Sequence, residues 1–239
     1  MALSYRAIPN PAVFGPLTYD QLILADSPVG YWPLSEASGT NANDASVNNN
    51  DGTYVASPTL GVTGPVTDLA TAVTLNGTTQ YVSSPDVAAW DIFEGTNAWT
   101  IEMWVNHTPD GSYRRLMEKA TGGKVSFVSQ NTDLLVVRND NVAGDTLYAD
   151  QLTSGWHHVV ATFSGTQLAL YVDSALRPPH YGGANPMAST RSIPAMTSEL
   201  FIGCEPVSTN VFNGTLAKVA LYNYVLSQAK IDARWARRV

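Results

Sequence analysis

The sequence predicts an all-β protein: a two-sheet antiparallel jelly-roll sandwich with an N-terminal arm and a short C-terminal helix. Three observations carry this reading. Residues 156–173, WHHVVATFSGTQLALYVD, alternate with a period of two on either side of Ser164 and Gly165. Val159, Ala161 and Phe163 share one face, and Trp156, His158, Val160 and Thr162 share the other. Both faces carry apolar residues, so the hairpin belongs in a sheet covered on at least one side. Similar short runs recur along the chain, separated by Gly, Asn, Asp or Pro. The 18 Gly and 14 Pro are spread through 239 residues, as many short strands joined by turns require.

Residues 1–18 read as an extended arm, because Pro9, Pro11 and Pro16 remove backbone donors and discourage helix and inner strand alike. Residues 19–239 read as one domain. It opens with a short helix or turn at 19–25, followed by a polar, Asn-rich loop at 40–52. Strand character is found at 72–75, 80–83, 100–105, 115–119, 125–129, 134–138, 146–149, 200–203 and 216–222, besides the hairpin. At 177–198 the chain is rich in Pro, Gly, Ala and Ser and too long for a hairpin turn, which marks a surface loop able to carry function. Ser227 is placed to cap a last helix in which Ile231 and Trp235 lie one turn apart on one face.

Composition narrows the partners. The net charge is −7, and no Lys or Arg occurs between Ala7 and Tyr113. Phosphate contacts need clustered cations, so nucleic acid is not an expected partner. Arg234, Arg237 and Arg238 are expected at the C-terminal end of the last helix, where a cation meets the helix dipole. No apolar run approaches the roughly 20 residues that span a bilayer, so no membrane insertion is expected. The first residues lack the apolar core of a signal peptide, and the single Cys204 fits a reducing compartment. These features lead us to expect synthesis in a reducing cytoplasm without a signal peptide. The Asn-Gly pairs at Asn76 and Asn213 are then tight turns rather than glycosylation sites.

Several segments resemble, in order, the laminin G-like or concanavalin A-like jelly rolls. They are DSPVGYWPLSE at 26–36, Asp44-Ala-Ser with Asp51-Gly-Thr-Tyr, AVTLNGTTQYV at 72–82, and WTIEMWV at 99–105. The hairpin at 156–173, Leu200-Phe-Ile-Gly and FNGTLAKVALY at 212–222 complete the set. The resemblance covers about residues 20–235. It implies a concanavalin A-like sandwich that recognises rather than transforms. The opening segment is similar to laminin G-like domains of bacteriophage structural proteins, which implies a capsid decoration or tail component. Such a virion protein would attach to other subunits through its arm and touch host surface glycans. A free carbohydrate-binding lectin, with or without calcium, is the alternative; a glucanase or lyase of the same fold is a second rival.

Candidate chemistry is sparse. Asp44 and Asp51 lie in an oxygen-rich loop with the ligand types of a calcium site. Oxygens at Asp44, Ser46, Asn48 and Asn50 follow the start of an EF-hand loop, but Asn49 and Val55 break the pattern. His157 and His158 point to opposite faces of a strand and cannot both reach one metal, so a structural histidine hydrogen-bonded across the sheet is expected rather than a ligand. His107 and His180 give no spacing signal. Glu102 has Thr100 and Trp104 at i±2, so paired acids on one strand are absent. The face that carries Thr100, Glu102 and Trp104 is expected to meet solvent or a ligand. Trp90, Tyr113 and Tyr181 are the candidate ligand-binding residues, with Tyr148 also near a loop and Tyr181 the best placed to be exposed.

Overall fold

A computed structural model describes residues 17–68, 70–107, 109–120, 124–130, 133–138, 145–206 and 209–239. The arm expected at 1–18 lies outside the described residues up to residue 16. Among the described residues two sheets pack face to face, and their strand ladders are antiparallel. One sheet runs Ala175–Leu176, Gln167–Val172, Trp156–Phe163, Trp99–Asn106, Asn213–Tyr222, Thr71–Asn76, Thr59–Thr63. Gly30–Trp32 adds to Asn213–Tyr222, and Met187–Ala188 adds to Gln167–Val172. The other runs Thr146–Asp150, Asp133–Arg138, Val125–Gln130, Arg114–Lys119, Leu200–Ile202, Tyr81–Ser84, Gly52–Val55, Asn41–Ala42. The last of these lies inside the stretch read from sequence as loop, where Asn41 and Ala42 pair with Thr53 and Gly52.

The inner faces make one core, to which Trp32, Trp99, Ile101, Phe127, Leu170 and Val219 contribute. Close packing sets one glycine: a Cβ on Gly30 would meet the Trp90 ring at 2.7 Å. The hairpin folds as its alternation requires, with Val159 opposite Val172 and Phe163 opposite Leu168. Asp173 extends this ladder beyond its last pair. Its N–H donates to the His158 carbonyl at 2.8 Å, while its Oδ1 accepts the His158 N–H at 3.0 Å.

The outer face of the first sheet is not open to solvent or ligand. The helices Tyr19–Leu24 and Gln228–Trp235 cover it and bury Tyr19, Ile23, Trp104, Val160, Tyr222 and Ile231 in a second apolar layer. The first helix begins with a capping box between Thr18 and Gln21. Trp235 stacks on Trp104 with centroids 5.6 Å apart. Beneath the helices Glu102 is fully buried. Its Oε1 accepts from His158 Nε2 at 2.9 Å and from the Tyr19 hydroxyl at 3.1 Å; its Oε2 accepts from the Tyr222 hydroxyl at 3.1 Å. Arg234 Nε lies 2.9 Å from the same carboxylate, and Arg234 Nη2 donates to Asp26 at 2.8 Å. Arg234 stands in the last turn of this helix as expected, and there it is a buried ion-pair partner; Arg238 rests on the Trp235 ring, 4.3 Å from its centroid.

A bulge serves the same closure. Between Ala217 and Ala220 the last strand gains one residue against its neighbour, and Lys218 takes a φ of 56°. Its Nζ then reaches Asp20 on the first helix at 2.6 Å.

Burial alone would raise the Glu102 carboxyl, but the Arg234 guanidinium and the His158 hydrogen bond outweigh it and hold the group below the usual carboxylate range. A carboxyl lowered on folding contributes stability that is complete above its unfolded value of about 4.3 and lost as pH falls through the lower folded value. Glu102→Ala leaves Arg234 buried without this partner and should cost about 3–5 kcal/mol, measured as a lower urea midpoint. In Glu102→Gln the loss of stability between about pH 5 and pH 3 should be shallower than in the parent chain, since one native carboxylate no longer takes up a proton.

Candidate functional site

At one edge of the second sheet the register sets Asp133 opposite Asp150. Leu134 and Ala149, the next residues along, point into the core, so both carboxylates belong to the outer face. Like charges directly opposed across strands are destabilising unless a third group intervenes. The loop beyond Ala175–Leu176 supplies that group. Pro179 bridges to Ala149, and the His180 N–H donates to the Tyr148 carbonyl at 3.1 Å, which lays the loop over the sheet edge. His180 Nδ1 hydrogen-bonds Asp133 and stands 4.0 Å from Asp150 Oδ1. The Tyr181 hydroxyl donates to Asp133 Oδ2 at 2.9 Å.

Asn185 ties the far side of the loop down, donating from Nδ2 to the carbonyls of Leu170 and Arg177 at 2.8 and 2.6 Å. Gly182 and Gly183 have φ of 77° and 98°, which lets the chain turn sharply beside Tyr181. The result is an aromatic shelf. The Tyr181 ring stacks on His180 with centroids 4.3 Å apart and 9° between planes, and it meets Tyr148 edge-on at 5.4 Å. Tyr181 is 67% exposed and Tyr148 38% exposed. A small cleft of about 80 Å³ opens beside them, lined by Thr146, Tyr148, Pro179, Tyr181, Gly182 and Met187 among others. An exposed, tethered ring beside a small cleft suits a ligand with one apolar face.

The other expected site residues do not join this shelf. Trp90 is fully buried: its Nε1 donates to the Pro85 carbonyl at 3.0 Å and its ring packs 5.3 Å from Trp32. It lies within the 3₁₀ turn Ala88–Phe93, whose apolar side chains pack against the core, so it is a core residue and not a ligand platform. Tyr113 is half-buried against Val128, with the Arg115 guanidinium 4.5 Å from its ring centroid. Its neighbouring strand, Arg114–Lys119, is separated from Thr146–Asp150 by two others. Paired acids arise where a rule of i and i+2 does not look, on adjacent strands. Facing acids are the arrangement from which glycosidases work; here His180 Nδ1 hydrogen-bonds Asp133 and lies 4.0 Å from Asp150.

His180, unremarkable in sequence, is the clip of the loop; its partner Asp133 is 47 residues away, beyond any spacing rule. His158 bonds across the sheet as expected. His157 lies between Asp173 Oδ2 at 2.7 Å and the Thr153 hydroxyl at 2.9 Å, which has the form of a nucleophile–base–acid relay. Its Nε2 is also 3.2 Å from the Thr153 carbonyl, so the ring braces the turn before the strand.

The residues at 44–51 do not fit calcium. Asp44 is buried, and its Oδ1 accepts the N–H groups of Tyr31 and Ser46 while its Oδ2 accepts the Asn50 N–H and the Ser46 hydroxyl, all at 2.8–2.9 Å. Asp51 Oδ1 accepts the Asp44 N–H at 2.8 Å, and its Oδ2 accepts from Asn41. Donor hydrogens aimed at both carboxylates occupy the lone pairs that a cation would need. No group of three or more His, Cys, Asp or Glu able to hold a metal occurs among the described residues. Adding millimolar calcium or a chelator should therefore move the melting temperature by less than about 1 °C, since only a ligand of the native state raises it.

The family model described as the concanavalin A-like lectin/glucanases superfamily matches residues 76–232. No curated protein matches the sequence. Among solved structures, the binding domain of botulinum neurotoxin serotype D is similar at TM-score 0.68 and 12% identity, over 89% of this chain and 52% of that one. The binding domain of Paraclostridial mosquitocidal protein 1 gives 0.68 and 14%, over 89% and 52%. Trypanosoma rangeli sialidase, in complex with 2,3-difluorosialic acid, gives 0.63 and 19%, over 87% and 33%. The chain thus spans from a third to about half of the length of these proteins, and at such identities the likeness is one of fold. With two-thirds of its length matched by the family model and both sheets in place, the chain belongs to the concanavalin A-like lectin/glucanases superfamily.

Proposed function

We propose that this protein is a non-enzymatic glycan-binding module, carried as a capsid decoration or tail component of a bacteriophage virion. The observation that carries the binding reading is the exposed Tyr181 ring, held rigid by its hydroxyl bond to Asp133 and by stacking on His180. An aromatic fixed in place before the ligand arrives loses little entropy on binding, and its flat face matches the C–H face of a sugar ring. Neighbours of the same fold that are binding domains support recognition. Against hydrolysis stand the sealed Glu102 and the His180 ring beside the Asp133 and Asp150 carboxylates. The virion setting rests on the likeness of residues 26–36 to laminin G-like domains of phage structural proteins and on the proline spacing of the arm.

Screening on a glycan array followed by calorimetric titration should find a ligand whose affinity falls about 10- to 100-fold in Tyr181→Ala, the range typical of an anchoring aromatic. The bound sugar should be recovered uncut. Affinity unchanged by the substitution, or cleavage of the ligand, would sink the reading. Removing residues 1–16, which spares the Thr18 cap, should leave a folded monomer that no longer enters particles. Normal incorporation of the truncated chain would show that the arm is not the anchor.

A further inference from the structure

We infer that the Tyr148–Tyr181 shelf selects a sugar that carries a methyl group, either the acetamido methyl of an N-acetylhexosamine or the C6 methyl of a 6-deoxyhexose; this rests on the glycan-binding reading of the same site. The size and lining of the cleft carry the inference. His180 stacks on one face of the Tyr181 ring, so a sugar ring can lie only on the other. The cleft beside it has a volume of about 80 Å³. Sites that enclose a whole small molecule have about 300–1,000 Å³. This one therefore takes a single substituent of a sugar whose ring rests outside it, on Tyr181.

The lining decides which substituent. Leu147, Pro179, Ala184 and Met187 give the cleft apolar walls, and no charged side chain lines it among the described residues. Of the hydroxyls at its border, that of Tyr181 already donates to Asp133. A hydroxyl or hydroxymethyl group placed there gives up its bonds to water and meets mostly carbon, which costs affinity. A methyl group has no such bonds to lose and gains by leaving water. Met187 is half-buried, and its flexible thioether suits a wall that must close around a small group. The loop is fixed on both sides of the cleft, by the Pro179 bridge to Ala149 and by the Asn185 bonds to Leu170 and Arg177. The notch is thus formed before a ligand arrives, and little entropy is lost in shaping it.

The test is calorimetric titration with sugars in pairs. One series sets N-acetylglucosamine and N-acetylgalactosamine oligosaccharides beside their glucose and galactose counterparts. The other sets L-fucosides and L-rhamnosides beside L-galactosides and L-mannosides. In at least one series the methyl-bearing member should bind about 10-fold tighter, as one apolar group does in a fitted pocket, and the series that shows the gap identifies the substituent. Saturation-transfer NMR on that ligand should find its methyl protons among the most strongly saturated; methyl protons left unsaturated would overturn the inference. Ala184→Leu, at an exposed loop position, puts a side chain into the cleft and should bring the pair to within about twofold. Tyr181→Ala should weaken both members alike, because they share the stacking face. Equal affinity within every pair, or a tighter hydroxylated member, with binding still dependent on Tyr181, would overturn the inference and leave the glycan site standing. A gap that survives Ala184→Leu unchanged would also overturn it. Failure of every sugar to bind, or binding indifferent to Tyr181, would remove both readings.

Discussion

The buried Glu102 carboxylate is the interaction on which the rest of this structure depends. A charge at that depth persists only when it is paired and hydrogen-bonded from all sides. Its partners come from distant parts of the chain: Tyr19 in the first helix, His158 in the hairpin, Tyr222 at the end of the last strand and Arg234 in the last helix. Satisfying one carboxylate thus requires both helices to lie on the same sheet face at once. Apolar contacts supply the bulk of the attraction there, and the polar cluster decides where the helices rest.

This closure has a functional consequence. A jelly roll has two outer faces on which a ligand can be held. Here Tyr19, Ile23, Ile231 and Trp235 occupy one of them, and Trp104 has become core. The shelf that remains open lies on the outer face of the other sheet, at its edge. It is organised by the same rule of charge compensation at smaller scale. Asp133 and Asp150 oppose each other, and the loop brings His180 and Tyr181 down to relieve that opposition. The exposed aromatic is therefore held by the electrostatics of the strand pair beneath it.

Much of the fold is legible in the sequence because it depends on local pattern. Alternation places strands at 100–105, 125–129 and 156–173 within a residue or two of where they stand, since one residue of slip would turn a whole apolar set outward. The start of the last helix at Ser227, whose side chain makes no capping hydrogen bond, and the pair Ile231 and Trp235 are legible for the same reason; the stretch 19–25 reads as helix or turn, and the Thr18–Gln21 capping box makes it a helix. Exposure of aromatics is less legible. Trp90 and Tyr181 both follow loop-like sequence, yet one fills the end of the core and the other stands in solvent. Nothing local distinguishes them, because burial depends on what the rest of the chain brings to that place.

What the sequence by itself determined is therefore the all-β class and most strand positions, consequences of period-two alternation and turn chemistry over short stretches, together with the superfamily, which its motifs in order resemble. Tertiary structure alone decided the fate of the charged groups. Arg234 became a buried partner of Glu102, Asp44 became the acceptor that closes its own loop, and His180 became the clip between two facing aspartates. The physical reason is that hydrophobic burial acts through periodicity along the chain, whereas a charge is stabilised by whichever opposite group folding brings within about 3 Å of it, at any separation in sequence.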